Sequence, residues 1–101
     1  MDYAVKIRQA ARRDIKNYFY YYLEKSGDIE IADRIVDKIN STIAGLRFMP
    51  RINQLIEELR AEGIRKIICG NFVIPFLINE ERKTVSVLRV FHGKMDYKNY
   101  L

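Results

Sequence analysis

The chain has one cysteine, two prolines and one histidine, and no apolar stretch long enough to cross a bilayer. Cys69 alone cannot close an internal disulfide, and no ligand cluster follows it, so neither a disulfide-stapled secreted scaffold nor a zinc site is expected. The longest uncharged run, residues 67–79, spans thirteen residues and holds Gly70, Asn71 and Pro75. A spanning helix needs about twenty apolar residues. The opening Met1-Asp2-Tyr3-Ala4-Val5-Lys6 lacks the apolar core of a signal peptide. Together these absences predict a cytoplasmic protein with no metal and no cofactor.

What is present is enough to fold one domain. Of 101 residues, 49% are hydrophobic and 31% charged, so a single core can form where two would each be too small to offset chain entropy. The net charge of +5 is unevenly placed. Residues 1–25 carry a net +3 and residues 82–101 a net +4, while residues 26–62 carry a net −2. Should the two ends of the chain meet in space, they make one positive face suited to phosphates or to an acidic protein segment.

Tyr3, Val5 and Ile7 alternate with Ala4, Lys6 and Arg8, the period of a strand with one buried face. From Gln9 the period changes, and Ala11, Ile15, Tyr18, Phe19 and Tyr22 predict an amphipathic helix ending near Ser26-Gly27. Asp28 can cap a second helix with an inward face of Ala32, Ile35, Val36, Ile39, Ile43 and Leu46, stopped by Met49-Pro50. The two form an antiparallel hairpin whose apolar stripes need a common partner. Ile52, Leu55, Ile56 and Leu59 suggest a short helical turn. Strands follow at residues 64–69, 72–78 and 83–91, the first two joined by Gly70-Asn71. The middle strand is apolar on both faces, which places it centrally, and Pro75 within it predicts a bulge or one unpaired position. The expected fold is α+β: a strand, a helical hairpin, then a three-stranded antiparallel meander, with the helices on one sheet face and at least part of the other face open.

Specific residues add to this order. The first helix carries Ala11 and Asp14 in an Ala-x-x-Asp arrangement, and the second closes with Leu46-Arg47-Phe48-Met49-Pro50. Ile64-Arg65-Lys66-Ile67 is an arginine-bearing strand, and Gly70-Asn71-Phe72-Val73-Ile74-Pro75-Phe76 a glycine-to-aromatic hairpin. The last strand runs Val87-Leu88-Arg89-Val90-Phe91-His92-Gly93-Lys94-Met95-Asp96. In this order these segments resemble the RelE/ParE superfamily of toxins from type II toxin–antitoxin systems, and the histidine-glycine-basic-x-aspartate ending is similar to its ParE branch. The resemblance implies a growth-inhibiting toxin neutralised by a cognate antitoxin, as a homodimer or a toxin–antitoxin heterotetramer. It implies two targets: RelE-like members cut messenger RNA on the ribosome, and ParE-like members inhibit DNA gyrase. A basic binding module without toxicity is a third reading.

Metal-free RNA cleavage needs a proton acceptor, a proton donor and cations around the phosphorus. The candidates are His92, Lys94, Arg65, Arg89 and Tyr97: His92 as acid or base, Arg65 and Arg89 as phosphate clamps, Tyr97 as a base-stacking ring. Against this, Arg89 shares a strand period with Val85, Val87 and Phe91 and is equally suited to an internal ion pair, with Asp96 as one carboxylate in reach. The middle strand offers few of the cations that RelE-like sites concentrate, which favours the gyrase-directed reading. In the run Tyr18-Phe19-Tyr20-Tyr21-Tyr22 the residues cover the whole helix circumference, so some are core and some exposed. Tyr20, Tyr21, Arg12, Arg13, Lys98 and Tyr100 are the candidate contacts to the target or the antitoxin. The antitoxin is expected to dock as a helix in a groove of the hairpin and sheet, or as a strand on a sheet edge, and to be acidic.

Overall fold

The change of period at Gln9 is where the first strand becomes the first helix. In the computed structural model, which describes residues 2–93 and Leu101, strand β1 spans Ala4–Ile7, helix α1 Gln9–Ser26 and helix α2 Ile29–Ala44. Gly27 ends α1 at φ 67°, a left-handed backbone that glycine adopts without steric cost, and its N–H bonds the Leu23 carbonyl at 2.8 Å. Asp28 then caps α2 by accepting from the Glu30 N–H at 2.9 Å.

Helix α2 stops earlier than Met49-Pro50 had suggested. Regular helix ends at Ala44, and a tighter turn over Gly45–Arg47 follows. That turn presents the Arg47 carbonyl to the Tyr3 N–H at 2.9 Å, which ties the end of the hairpin to the start of β1. Met49 takes a left-handed backbone (φ 45°) and Pro50 opens the next turn, Pro50–Ile52.

Strands β2 (Arg65–Cys69), β3 (Phe72–Asn79) and β4 (Thr84–Val87) form the expected antiparallel meander. Strand β1 adds to it in parallel beside β4, with Ala4 opposite Thr84 and Ile7 opposite Val87, giving the order β1-β4-β3-β2. The expected last strand is broken in two: Phe91–His92 forms a separate strand, β5, on β3. Pro75 explains the break. It receives the Leu88 N–H at 2.9 Å but has no N–H to return, and pairing resumes only at Val73 opposite Phe91. Two residues of β3, Ile74 and Pro75, therefore face three, Leu88 to Val90, which is a bulge on the facing strand. The extra residue shifts the alternation, so Val90 rather than Arg89 follows Val85 and Val87 into the main core.

That core joins Ile39, Ile43 and Leu46 of the hairpin side to Ile74, Phe76 and Val85 of the sheet. Each fully buried side chain of this size contributes about 1.5–3 kcal/mol. A second, smaller cluster on the opposite sheet face is built by Ile56, Leu59, Ile64 and Leu88 with Leu77. The segment from Pro50 to Glu62 covers that face with two short turns, Pro50–Ile52 and Glu57–Glu62. Ile52, one of the residues that suggested a helical turn here, closes the first of these turns and is 75% exposed. The open remainder of this face includes Ile68. Among the described residues no helix is long and apolar enough to cross a membrane.

Candidate functional site

The bulge at Leu88 to Val90 frees backbone groups that a regular ladder would have paired, and α1 satisfies them. Asp14 accepts from the Val90 N–H at 2.9 Å and from Arg89 through both oxygens, Nε at 2.7 Å and a terminal nitrogen at 2.9 Å. One helical turn on, the Tyr18 hydroxyl donates to the Val90 carbonyl at 3.0 Å. Burial, with the Asp14 charge adding to it, raises the Tyr18 pKa above its ordinary value of 10.0, so the phenol stays a donor. The carboxylate holding Arg89 is thus Asp14; Asp96, the partner considered from sequence, lies outside the described residues. The guanidinium also sits 5.1 Å from the Phe91 ring centre. This arginine is bound into the fold at the place where phosphate clamping would require it to be turned outward.

His92 lies three residues after Arg89, opposite Phe72. Its ring is exposed but flanked by Phe72 and by Tyr18, with ring centres at 5.1 and 6.1 Å, and its Nε2 lies 3.3 Å from the Tyr22 hydroxyl. Arg65 is elsewhere. It stands opposite Phe76, on the other side of β3 and four β3 residues from His92's position, about 13 Å along the strand. Its guanidinium donates to the Asn53 carbonyl at 2.6 Å and the Arg51 carbonyl at 3.3 Å. So the structure brings His92 to tyrosines and places the two arginines in separate contacts. Lys94, Tyr97, Lys98 and Tyr100 lie outside the described residues.

On the outer side of α1 the tyrosine run divides as helical geometry requires. Tyr18 and Tyr22 turn toward the sheet, while Tyr20 and Tyr21 remain 55% and 49% exposed. Arg12 and Arg13 are exposed on the same helix. A groove of about 330 Å³ runs between α1, α2 and the end of β1, with Ile15, Phe19 and Val36 as its apolar lining and Arg12, Lys16 and Tyr20 at its polar side. Lys16 was not singled out from sequence and Phe19 was read only as part of the apolar stripe, although the i, i+4 spacings Arg12–Lys16–Tyr20 and Ile15–Phe19 carry the signal.

A further cluster went unforeseen because its members are distant in sequence. Glu80 receives the Tyr3 hydroxyl at 2.8 Å and the Lys83 ammonium at 3.0 Å, and also pairs with Arg51. These donors, Lys83 first, lower the Glu80 pKa from 4.5 to about 2. A folded-state pKa below the unfolded one contributes stability above the unfolded value and loses it as pH falls toward the folded value. Replacing Glu80 by Gln should therefore lower the urea midpoint at pH 7, with the gap to the parent chain closing between about pH 4.5 and pH 2. Because the cluster is exposed, the gap should also shrink with added salt. A gap independent of pH would show that the carboxylate charge is not what holds the cluster.

Among the described residues no group of three or more histidine, cysteine or acidic side chains is placed to hold a metal ion. Cys69 is buried, its Sγ 3.7 Å from the Lys38 carbonyl.

A helical hairpin on one face of a sheet, with the first strand parallel to the third of the later strands and an acid–arginine clasp at the bulge, makes up a small α+β domain. The chain belongs to the ParE toxin family of type II toxin–antitoxin systems (parDE), whose model matches residues 5–97. Solved structures agree in fold. A chain of the chromosomal ParDE toxin–antitoxin system from P. aeruginosa superposes with a TM-score of 0.77 at 19% identity, covering 91% of this chain and 97% of that one. A chain of the RelBE2 toxin–antitoxin complex from Mycobacterium tuberculosis gives 0.66 at 24% identity, covering 91% and 99%. A mutant of the E. coli toxin RelE in the free state gives 0.58 at 17% identity, covering 98% and 90%. No curated sequence relative matches the chain.

Proposed function

We propose that this toxin arrests growth by binding and inhibiting DNA gyrase, and that a cognate acidic antitoxin holds it inactive. The observation that carries the choice of target is where the arginines lie. Arg89 is spent on Asp14 and Arg65 on two backbone carbonyls, so neither stands beside His92 as a phosphate clamp. Cleavage without a metal draws most of its acceleration from cations fixed around the developing charge, and the two candidate arginines are committed to the fold. A toxin that acts by occupying its target needs a contact surface instead, and the exposed α1 face with Tyr20, Tyr21, Arg12 and Arg13 supplies one.

The same face accounts for neutralisation. The groove beside Tyr20 suits an amphipathic antitoxin helix with apolar anchors on Phe19 and Val36 and acidic residues facing Arg12 and Lys16. Covering that face removes the surface offered to the target.

The decisive measurement is DNA supercoiling by gyrase with purified toxin. Inhibition at micromolar toxin, relieved by the antitoxin, is the expected result, with transcripts on programmed ribosomes left intact. His92→Ala should leave inhibition within about threefold of the parent, the span of an exposed substitution worth ~0.5 kcal/mol. Unimpeded supercoiling, or cut transcripts whose cutting is lost in His92→Ala, would replace this reading by the ribosome-dependent nuclease.

A further inference from the structure

Helix α1 starts against its own electrostatics. The N-terminus of a helix carries partial positive charge and favours acidic residues, yet the first turn of α1 has none and its N-cap, Arg8, makes no side-chain cap. Cations accumulate there instead. Lys6, Arg8, Arg12, Arg13 and Lys16 are all exposed, and among the described residues no ion pair engages any of them, Arg12 Nε donating only to the Ile7 carbonyl at 3.2 Å. The one acid in the span, Asp14, is taken by Arg89, and Glu80 is taken by Arg51 and Lys83. Glu81, on the turn after β3, borders the shallow pocket that Arg8 lines and is in no ion pair among the described residues. Five like charges kept together at a helix start raise the folded-state energy, so their placement calls for an anionic partner.

The arrangement is a track. Lys6 and Arg8 share one face of the strand end, two residues apart. Arg8, Arg12 and Lys16 follow at i, i+4 steps, with Arg13 beside them. The path is about 19 Å, from about 6.6 Å of strand and two helical steps of about 6 Å. One DNA strand places about five phosphates over that length at 3.4 Å rise. From Lys6 to Lys16 the track exposes no large apolar side chain. Protein partners anchor on desolvated aromatic or aliphatic residues, whereas phosphate contacts need only cations and polar surface.

We infer that this basic track binds the phosphate backbone of duplex DNA, without sequence preference, so that the toxin grips DNA alongside the gyrase that holds it. The gyrase part of the inference rests on the function proposed above; the DNA contact stands by itself and is tested by itself.

The test is fluorescence anisotropy of a labelled duplex with the purified toxin at a series of salt concentrations. Five phosphate contacts give a slope of log affinity on log salt near −4.5, or a loss of about 500-fold between 50 and 200 mM. The double variant Lys6→Gln/Arg8→Gln avoids the α1 contact face, including Arg12, Arg13 and Lys16. It should reduce the slope to about −2.7 and the loss to about 40-fold, with antitoxin capture retained. Should the double variant fail to fold by circular dichroism, Lys6→Gln alone should lower the slope by about 0.9. Absent or salt-insensitive DNA binding, or an unchanged slope in a folded variant, overturns the inference. Loss of antitoxin capture with DNA binding intact also overturns it and assigns the track to an acidic protein. Uninhibited gyrase with salt-dependent DNA binding would sink the gyrase reading and leave the track standing.

Discussion

Asp14→Ala should lower the unfolding free energy by about 2–4 kcal/mol, out of the ~5–15 kcal/mol that a domain of this size holds. One carboxylate serves both a guanidinium and a bulged backbone N–H, and its side chain is 13% exposed against 27% for Arg89, so water replaces it poorly. The magnitude stays below that of a fully buried pair because Arg89 keeps other contacts, among them the Phe91 ring. In thermal denaturation followed by circular dichroism the midpoint should fall by roughly 10–25 °C. Asp14→Asn retains an oxygen for the Val90 N–H and should lose about half as much. A shift within about 0.5 kcal/mol for Asp14→Ala would mean the clasp is no more than an exposed surface pair.

The second large effect falls on antitoxin affinity. Tyr20 is 55% exposed at the side of the groove, where a large ring with few rotamers makes an effective anchor. Tyr20→Ala should weaken the toxin–antitoxin complex by about 2 kcal/mol, roughly 30-fold in Kd, mostly through faster dissociation. Tyr21 stacks edge-on against Tyr22 at 5.1 Å and lies beneath Lys25, so part of its surface is already used. Tyr21→Ala should cost less than Tyr20→Ala. Titration calorimetry or surface binding kinetics measures both, and an unaltered dissociation rate in Tyr20→Ala would move the antitoxin to another surface, the strand edge first.

What the sequence made legible was whatever periodicity and local chemistry dictate. The shift at Gln9, the cap at Asp28 and the turn at Gly70-Asn71 each depend on neighbours a few residues apart, and the structure has all three. Pro75 was readable as a disturbance, because a missing N–H disrupts any ladder. Its consequence was not. The bulge falls on the facing strand, where it reverses the side-chain alternation after Val87 and sends Arg89 to a helix 75 residues earlier in the chain. The Ala-x-x-Asp pattern named Asp14 without naming its partner, since no local rule pairs residues so far apart. Glu80 with Tyr3 and Arg51 escaped for the same reason. The nuclease candidates could be selected by residue type, but only the register separates Arg65 from His92.

The parallel pairing of β1 with β4 has a bearing on how the molecule comes into being. Ala4 finds its partner at Thr84, so the first strand waits, with a free edge, through most of the chain's synthesis. At roughly 5–20 residues per second that wait lasts on the order of 4–16 s, during which the hairpin can form but the sheet cannot close. The basic track, half strand and half helix, is assembled only when β4 arrives and fixes β1 beside it. A fragment ending before Thr84 would carry every one of those cations without the pairing that fixes β1 beside the sheet. Any contact that needs the completed sheet therefore begins only with the last strands made.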